Sequence, residues 1–259
     1  MKIEETEYIF AEPVVAQSSE GIYSVVIAFC SLELPSIETS EWIRPSLHPQ
    51  EYDYWLHLQF MKRRHSYLIG RFAAKQAVST WSGKLAFDQI CIDNGIFQQP
   101  VLLYPSTQVD ISLSHSHQLA TAIAFHKHLL MGIDIERVDV KKEKTLMQYF
   151  SESEKKSLLQ ICESRCRSMT VGWTIKESIS KAIKTGFTVP MELFEIKSVA
   201  AEASYFKAEF VHFSVYQSLI FFIEDFVCSI TYPRNITLLI DVDLLKNRVT
   251  QLLHHSHSI

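Results

Sequence analysis

A stretch of helical period followed by short alternating strands occurs twice in this chain, once per half, and that repetition restricts the fold more than any other feature. In the first half Tyr67, Gly70, Ala74, Ala77, Val78 and Trp81 recur at three-to-four spacing, as one face of a helix does. Gly83 suits the position just past its end. Val109, Ile111 and Leu113 then alternate with Asp110, Ser112 and Ser114, the period of a half-buried strand. Residues 120–125 and 129–136 read as two further strands of a meander. In the second half Ser151-Glu152-Ser153-Glu154 is a capping box that opens a helix. Another helix is expected over 168–184, closed by Gly186 with Pro190 beyond. Strands are expected over 210–215, 220–230 and 236–242, and a short helix over 244–253 ends the chain. The first forty residues read as strand and loop, with an apolar run at 23–29 and breaks at Pro13, Gly21 and Pro35. The expected class is α+β in two pseudo-symmetric lobes, 1–127 and 128–259, each a small antiparallel sheet packed with helices.

The bulk properties narrow the function. A length of 259 residues suits one large domain or two modest ones, with ordinary globular composition. The longest strongly apolar runs are too short to cross a bilayer. The first residues are acidic (Glu4, Glu5, Glu7) and show no secretory pattern, so a cytoplasmic protein without membrane association is expected. The five cysteines are scattered; Cys162 and Cys166 lack neighbouring His or Cys partners and read as thiols rather than a zinc site. A net charge of −4 argues against nucleic-acid binding. The positive charge is nevertheless clustered, in Lys62, Arg63, Arg64, Arg71 and Lys75 and again in Lys141, Lys142 and Lys144. The first cluster suits a compact anionic ligand or an acidic partner; the second also reads as a solvated helix face.

Four groups could carry chemistry. In Gly132-Ile133-Asp134-Ile135-Glu136, a strand would turn both isoleucines to the core and both acids to the other side. Two adjacent carboxylates repel unless a cation sits between them, and all-oxygen chemistry suits magnesium; a solvent-facing strand edge fits as well. On a helix, Trp173, Glu177 and Lys181 form one stripe, either a surface ion pair or an acid and a cation serving phosphate. Ser112-Leu113-Ser114-His115-Ser116 places hydroxyls and an imidazole at a strand end. Ser114 and His115 would face opposite ways, and no Gly-x-Ser-x-Gly elbow is present, so serine hydrolysis is disfavoured. Arg63, Arg64, Arg71 and Lys75 suit phosphate. With seven glycines in the chain and no glycine-rich phosphate loop, phosphate must be held by side chains and metal.

The order of these motifs, from Gly70-Arg71-Phe72-Ala73-Ala74-Lys75 through to Trp173-Thr174-Ile175-Lys176-Glu177-Ser178-Ile179-Ser180-Lys181, resembles the 4'-phosphopantetheinyl transferase superfamily. The resemblance is to the longer monomeric type that activates polyketide and nonribosomal peptide synthetases, and it spans roughly Arg63 to Pro190. It implies a coenzyme A cleft between the lobes and magnesium, or manganese, on Asp134, Glu136 and Glu177. It also implies that Glu177 acts as base and that Lys181 and Asp134 join it in catalysis. Ser114, His115 and Lys181 would contact coenzyme A, as would Arg63, Arg64, Arg71 and Lys75. The acceptor would be a serine of an apo acyl or peptidyl carrier protein. A docking surface for it is expected between Val138 and Val171, made of Lys141, Lys142 and Lys144 with Leu146, Met147, Phe150, Leu158 and Leu159. Gln99 stands where many relatives have lysine, and Thr185-Gly186-Phe187 replaces a commoner Gly-x-Gly-Leu. A magnesium-dependent nucleotide-pyrophosphate hydrolase and a non-catalytic binding module remain as alternatives. The run His254-His255-Ser256-His257 reads as a frayed tail.

Overall fold

The computed structural model describes residues 8–32, 43–105 and 108–256. The acidic start, the break at Pro35 and His257 lie outside the described residues. The first half contains β1 (Ile9–Ser18), β2 (Gly21–Ser31), α1 (Ile43–Ser46), α2 (Pro49–His57), α3 (Met61–Trp81), β3 (Cys91–Asn94), β4 (Pro100–Tyr104), β5 (Val109–Ser116) and β6 (Leu119–His126). The second contains β7 (Gly132–Arg137), α4 (Glu143–Leu146), α5 (Glu152–Leu158), α6 (Arg165–Ala182), β8 (Ile196–Ala201), β9 (Phe206–Phe210), β10 (Tyr216–Ile223), β11 (Phe226–Pro233), β12 (Thr237–Leu239) and α7 (Val242–Ser256). The α+β expectation holds, with antiparallel sheets and one long helix on each.

The two sheets run β12-β1-β2-β6-β5 and β7-β11-β10-β9-β8, with β3-β4 a separate pair. The run β2, α2, α3, β3 to β6 therefore corresponds element by element to β7, α5, α6, β8 to β11. The two differ where β4 fails to ladder onto β5. Both β5–β6 and β10–β11 close on a two-residue turn whose first residue is left-handed, His117 at φ 57° and Glu224 at φ 51°. A shared register follows. Counting from these turns, Asp134 and Glu136 of β7 occupy the places held by Ala28 and Cys30 in β2.

Packing makes four layers. One core lies between the sheets and includes Phe29, Ile123, Ile133, Ile135, Phe221 and the apolar face of α7. A second lies between α3 and the first sheet, and a third between α6 and the second sheet. Ile133 and Ile135 thus enter the inter-sheet core, as the alternation expected, and Asp134 is turned to the α6 side. Gly132 permits the closeness of β7 to α6, since a Cβ there would sit 2.1 Å from Ser178 O and 2.6 Å from Ala182 N.

Each lobe carries the same buried ionic clip. In the first, Glu51 is the third residue of α2 and closes a capping box opened by His48. Its carboxylate accepts from His48 N (3.1 Å) and Ile92 N (3.1 Å) and lies 2.5 Å from Lys75 Nζ, which also donates to Phe87 O and Ile90 O. In the second, Glu154 is the third residue of α5 and closes the box opened by Ser151. It accepts from Ser151 N (2.8 Å) and Ile196 N (2.9 Å) and lies 2.8 Å from Lys176 Nζ, which also donates to Tyr149 O and Met191 O. Both pairs are almost wholly removed from solvent.

Several boundaries move. Pro13 does not break the first strand: β12 pairs only with residues 15–17, so the missing N–H at 13 costs no ladder bond on that side. The expected strand over 210–215 lies earlier, as β9, and 220–230 is a hairpin turning at Glu224 and Asp225. Residues 129–131 belong to a turn, with Leu130 at φ 47°. Helix α6 ends at Ala182, and the left-handed residue that follows is Lys184 (φ 58°), ahead of Gly186. The expected docking surface also shrinks, because Leu146, Phe150 and Leu158 are core residues of the second lobe. That leaves Lys141, Lys142, Lys144 and Leu159 of it exposed, with Val140 and Tyr149 exposed in the same stretch.

Candidate active site

The site lies where the edge of β5 meets the edge of β7. An edge strand must find partners for its outward backbone groups, and here serine side chains supply them. Ser112 Oγ accepts from Ile133 N and Ser116 Oγ from Arg137 N, each at 3.1 Å. Ser114 Oγ donates to Asp134 Oδ1 at 2.7 Å and Ser116 Oγ to Glu136 Oε2 at 3.1 Å. The serine face of β5, expected as a polar strand face, is therefore buried against the other lobe. Ser112 and Ser116, quoted in the motif but given no role of their own there, are marked by their period-two spacing with Ser114.

Helix α6 crosses above this seam. Most of its residues are buried, and Trp173, Glu177 and Lys181 are half-buried along one line, so the predicted stripe faces the cleft. Lys181 does not pair along the helix with Glu177; its Nζ lies 2.7 Å from Asp134 Oδ1. Asp134 is 2 % exposed, and its Oδ2 is buried without a hydrogen-bond partner. Glu136 Oε2 also takes Lys142 Nζ at 3.3 Å, a partner the sequence did not suggest.

The electrostatics reflect three acids in one hollow. Burial pushes the Glu177 carboxyl up to about 8; Asp134 and Glu136 add to the shift and Lys181 opposes it. Burial and then Asp134 likewise raise Glu136. Burial alone would lower Lys181, but the surrounding carboxylates, Asp134 foremost, outweigh it and the net shift is upward. His115 faces away from Ser114 as predicted, with its Cδ2 3.8 Å from where a Cβ on Gly70 would lie. Crowding by protein atoms, then Lys181 and His65, lowers its pKa against the pull of Asp134. Among the described residues no three His, Cys, Asp or Glu side chains are posed to hold a metal ion. The orphaned Asp134 oxygen and the raised carboxyls of Glu136 and Glu177 beside it nevertheless fit a hard cation, for which carboxylate oxygens are the right donors.

The basic helix divides. Of its four candidates Arg63 alone is exposed. Arg64 donates to Leu58 O (2.7 Å) and Leu56 O (3.0 Å) and stacks on Trp55, fastening the end of α2. Arg71 is buried beside Glu51, donates to Asn94 Oδ1 and lies over the Tyr67 ring at 4.7 Å. Lys75 is wholly buried in the clip, with an acceptor for each of its three protons. The structure thus brings Ser114, Asp134, Glu136, Glu177 and Lys181 together, and turns Arg64, Arg71 and Lys75 to internal partners. Gln99 is also engaged locally, its Oε1 accepting from Phe97 N at 2.9 Å.

Residues 130–231 match the 4'-phosphopantetheinyl transferase superfamily. Enterobactin synthase component D of Salmonella austin is 27% identical over 130 residues, 50% of this chain and 51% of that protein. The 4'-phosphopantetheinyl transferase gsp of Aneurinibacillus migulanus is 32% identical over 105 residues, 40% of this chain and 44% of that protein. The chain thus spans about half the length of the curated relatives it matches. A crystal structure of a holo-(acyl-carrier-protein) synthase from Bacillus anthracis, in complex with CoA (3',5'-ADP), is 26% identical with a TM-score of 0.35, over 44% of this chain and 96% of that one. Over 130–231, which holds β7 and α6, the chain resembles the superfamily that its motifs indicate.

Proposed function

We propose that this protein transfers the 4'-phosphopantetheine arm of coenzyme A to a serine hydroxyl of an apo acyl or peptidyl carrier protein, releasing adenosine 3',5'-bisphosphate. The observation that carries the reading is Asp134: buried, one oxygen held by Ser114 and Lys181, the other unpartnered, with Glu136 and Glu177 crowding beside it. Such a cluster is built for a cation and for phosphate charge. Asp134, Glu136 and Glu177 would hold magnesium, or manganese, which when bound neutralises the pyrophosphate.

The chain's own residues supply the rest. Glu177, in its ionised form, accepts the proton of the carrier serine. The serine oxygen forms its bond to the β-phosphorus as the bond to the bridging pyrophosphate oxygen breaks, and that oxygen leaves with the electron pair. Lys181 shares its ammonium between Asp134 and the departing phosphate, and His115 and Arg63 serve the nucleotide from the first lobe. The basic exposed rim of Lys141 and Lys144, with Tyr149 and Val140, suits an acidic carrier surface. The two lobes, divided near residue 127, act as one enzyme in monomeric form.

The test is the intact mass of an apo-carrier after incubation with this protein, coenzyme A and magnesium. A gain of one phosphopantetheine, lost with EDTA, is the expected outcome. Hydrolysis of coenzyme A without a gain on the carrier would make the protein a pyrophosphate hydrolase, and binding alone would make it a binding module.

A further inference from the structure

The two buried clips differ in what stands next to them. On α3 the lysine is followed by Gln76, which is buried in the first lobe. On α6 the lysine is followed by Glu177, which faces the cleft. We infer that Lys176, held by Glu154, is a positioning residue that fixes the rotation of α6 and so aims Glu177 at the β7 acids; this rests on the transfer reading above.

A buried ion pair is seldom the most stable filling of a core, since well-packed apolar residues of similar volume often do as well or better. Its value here is directional. Lys176 Nζ reaches Glu154 Oε1 at 2.8 Å, Tyr149 O at 2.9 Å and Met191 O at 3.4 Å, so acceptors from ahead of α5, from α5 and from beyond α6 converge on one side chain. Glu154 in turn holds Ile196 N at the start of β8. The helix cannot roll without breaking these bonds together. One turn earlier, Gly172 sets the other constraint: a Cβ there would lie 2.6 Å from Leu158 Cδ1 and 2.7 Å from Phe150 Cε1. Counting from the paired lysines, its counterpart on α3 is Arg71, so the first lobe lacks this close fit.

A roll of α6 would also turn Trp173, which lies between the Tyr149 ring at 5.2 Å and the Phe187 ring at 5.3 Å. Trp173 shares the accessible line with Glu177, and a displacement of about 1 Å of a reacting group can cost on the order of 100-fold in rate.

The first lobe supplies an internal control. Glu154→Gln and Glu51→Gln each leave a buried lysine without its carboxylate, so both are expected to lower the melting temperature comparably. In transfer assays Glu154→Gln is expected to lower kcat about 10-fold or more with KM for coenzyme A within about 2-fold, whereas Glu51→Gln leaves both within about 2-fold. Amide hydrogen exchange over residues 173–181 should rise in Glu154→Gln and not in Glu51→Gln. Should Glu154→Gln fail to fold, the double variant Glu154→Gln/Lys176→Met removes both charges and carries the same kinetic expectation. An unchanged kcat and unchanged exchange over 173–181 in these second-lobe variants would overturn the inference, as would equal kcat losses in the two lobes. If the wild-type protein transfers nothing, the transfer reading falls, and the exchange comparison still decides whether the clip fixes α6.

Discussion

The two lobes share element order, hairpin turns and a buried lysine–glutamate clip, yet among the described residues the cleft-facing acid cluster lies on the second. At matched register the first lobe has Ala28 and Cys30 where the second has Asp134 and Glu136. It has Gln76 where the second has Glu177. The scaffold is therefore indifferent to these positions: a strand facing a helix accepts alanine or a carboxylate, provided the charge finds donors. Ser114, Ser116, Lys142 and Lys181 are those donors, and two of them come from the opposite lobe. The acid cluster belongs to the contact between the lobes rather than to either repeat.

The strongest way to break this contrast is Asp134→Ala, which gives β7 the first lobe's residue. Transfer to the carrier, followed by mass, is expected to fall by roughly 1,000-fold with the fold retained by circular dichroism; a loss under tenfold would place the essential charge elsewhere. Gly132→Ala comes next. The matched residue of the first sheet is Val26, so a side chain there is compatible with the scaffold but not with α6 at its present distance. A loss of about 2–3 kcal/mol in urea unfolding is expected, and a negligible one would mean that the helix stands off as α3 does.

A subtler contrast is in pH. Glu177 is raised from 4.5 to about 8, so the folded state holds its proton more tightly than the unfolded chain does. Stability from this group is complete below the unfolded value and drains away as pH climbs through that window. The melting temperature of Glu177→Gln should therefore overtake that of the wild type progressively between about pH 5 and pH 8, and added magnesium should narrow the gap. A pH-independent difference would remove Glu177 from the buried acids. The smallest effect belongs to the Lys184–Asp110 pair, which ties the end of α6 to β5 across the lobes but is partly exposed. Lys184→Ala should cost about 0.5 kcal/mol or less in the same unfolding measurement.

The long helices α3, α6 and α7, the Asp134–Glu136 alternation and the Ser151–Glu154 box were legible because each is a local pattern with a single periodicity. The polar face of β5 was legible as a face, but the arrival of β7, which decides whether water reaches it, is a long-range event. Lys75 misled for a similar reason. A lysine on a helix looks solvated until its partner is known, and Glu51 lies far back in sequence behind a box opened by His48, outside the usual capping residues. The β3–β4 pair is too short to show a period at all, and the strand expected over 236–242 contracts to β12.

The last strand has a consequence for how the chain can be divided. Thr237–Leu239 pairs with β1 after the second sheet is complete, and α7 then adds its apolar face to the core between the sheets. The second half therefore supplies an edge to the first, like the tongue of a buckle. A nick near Lys127 should leave the fragments associated, and the first half expressed alone would lack β12, an edge strand of its sheet. A permuted chain opened near Lys127 would place 237–253 and β1 on one continuous half, whereas a cut between 233 and 237 would leave that edge on a fragment without its own sheet.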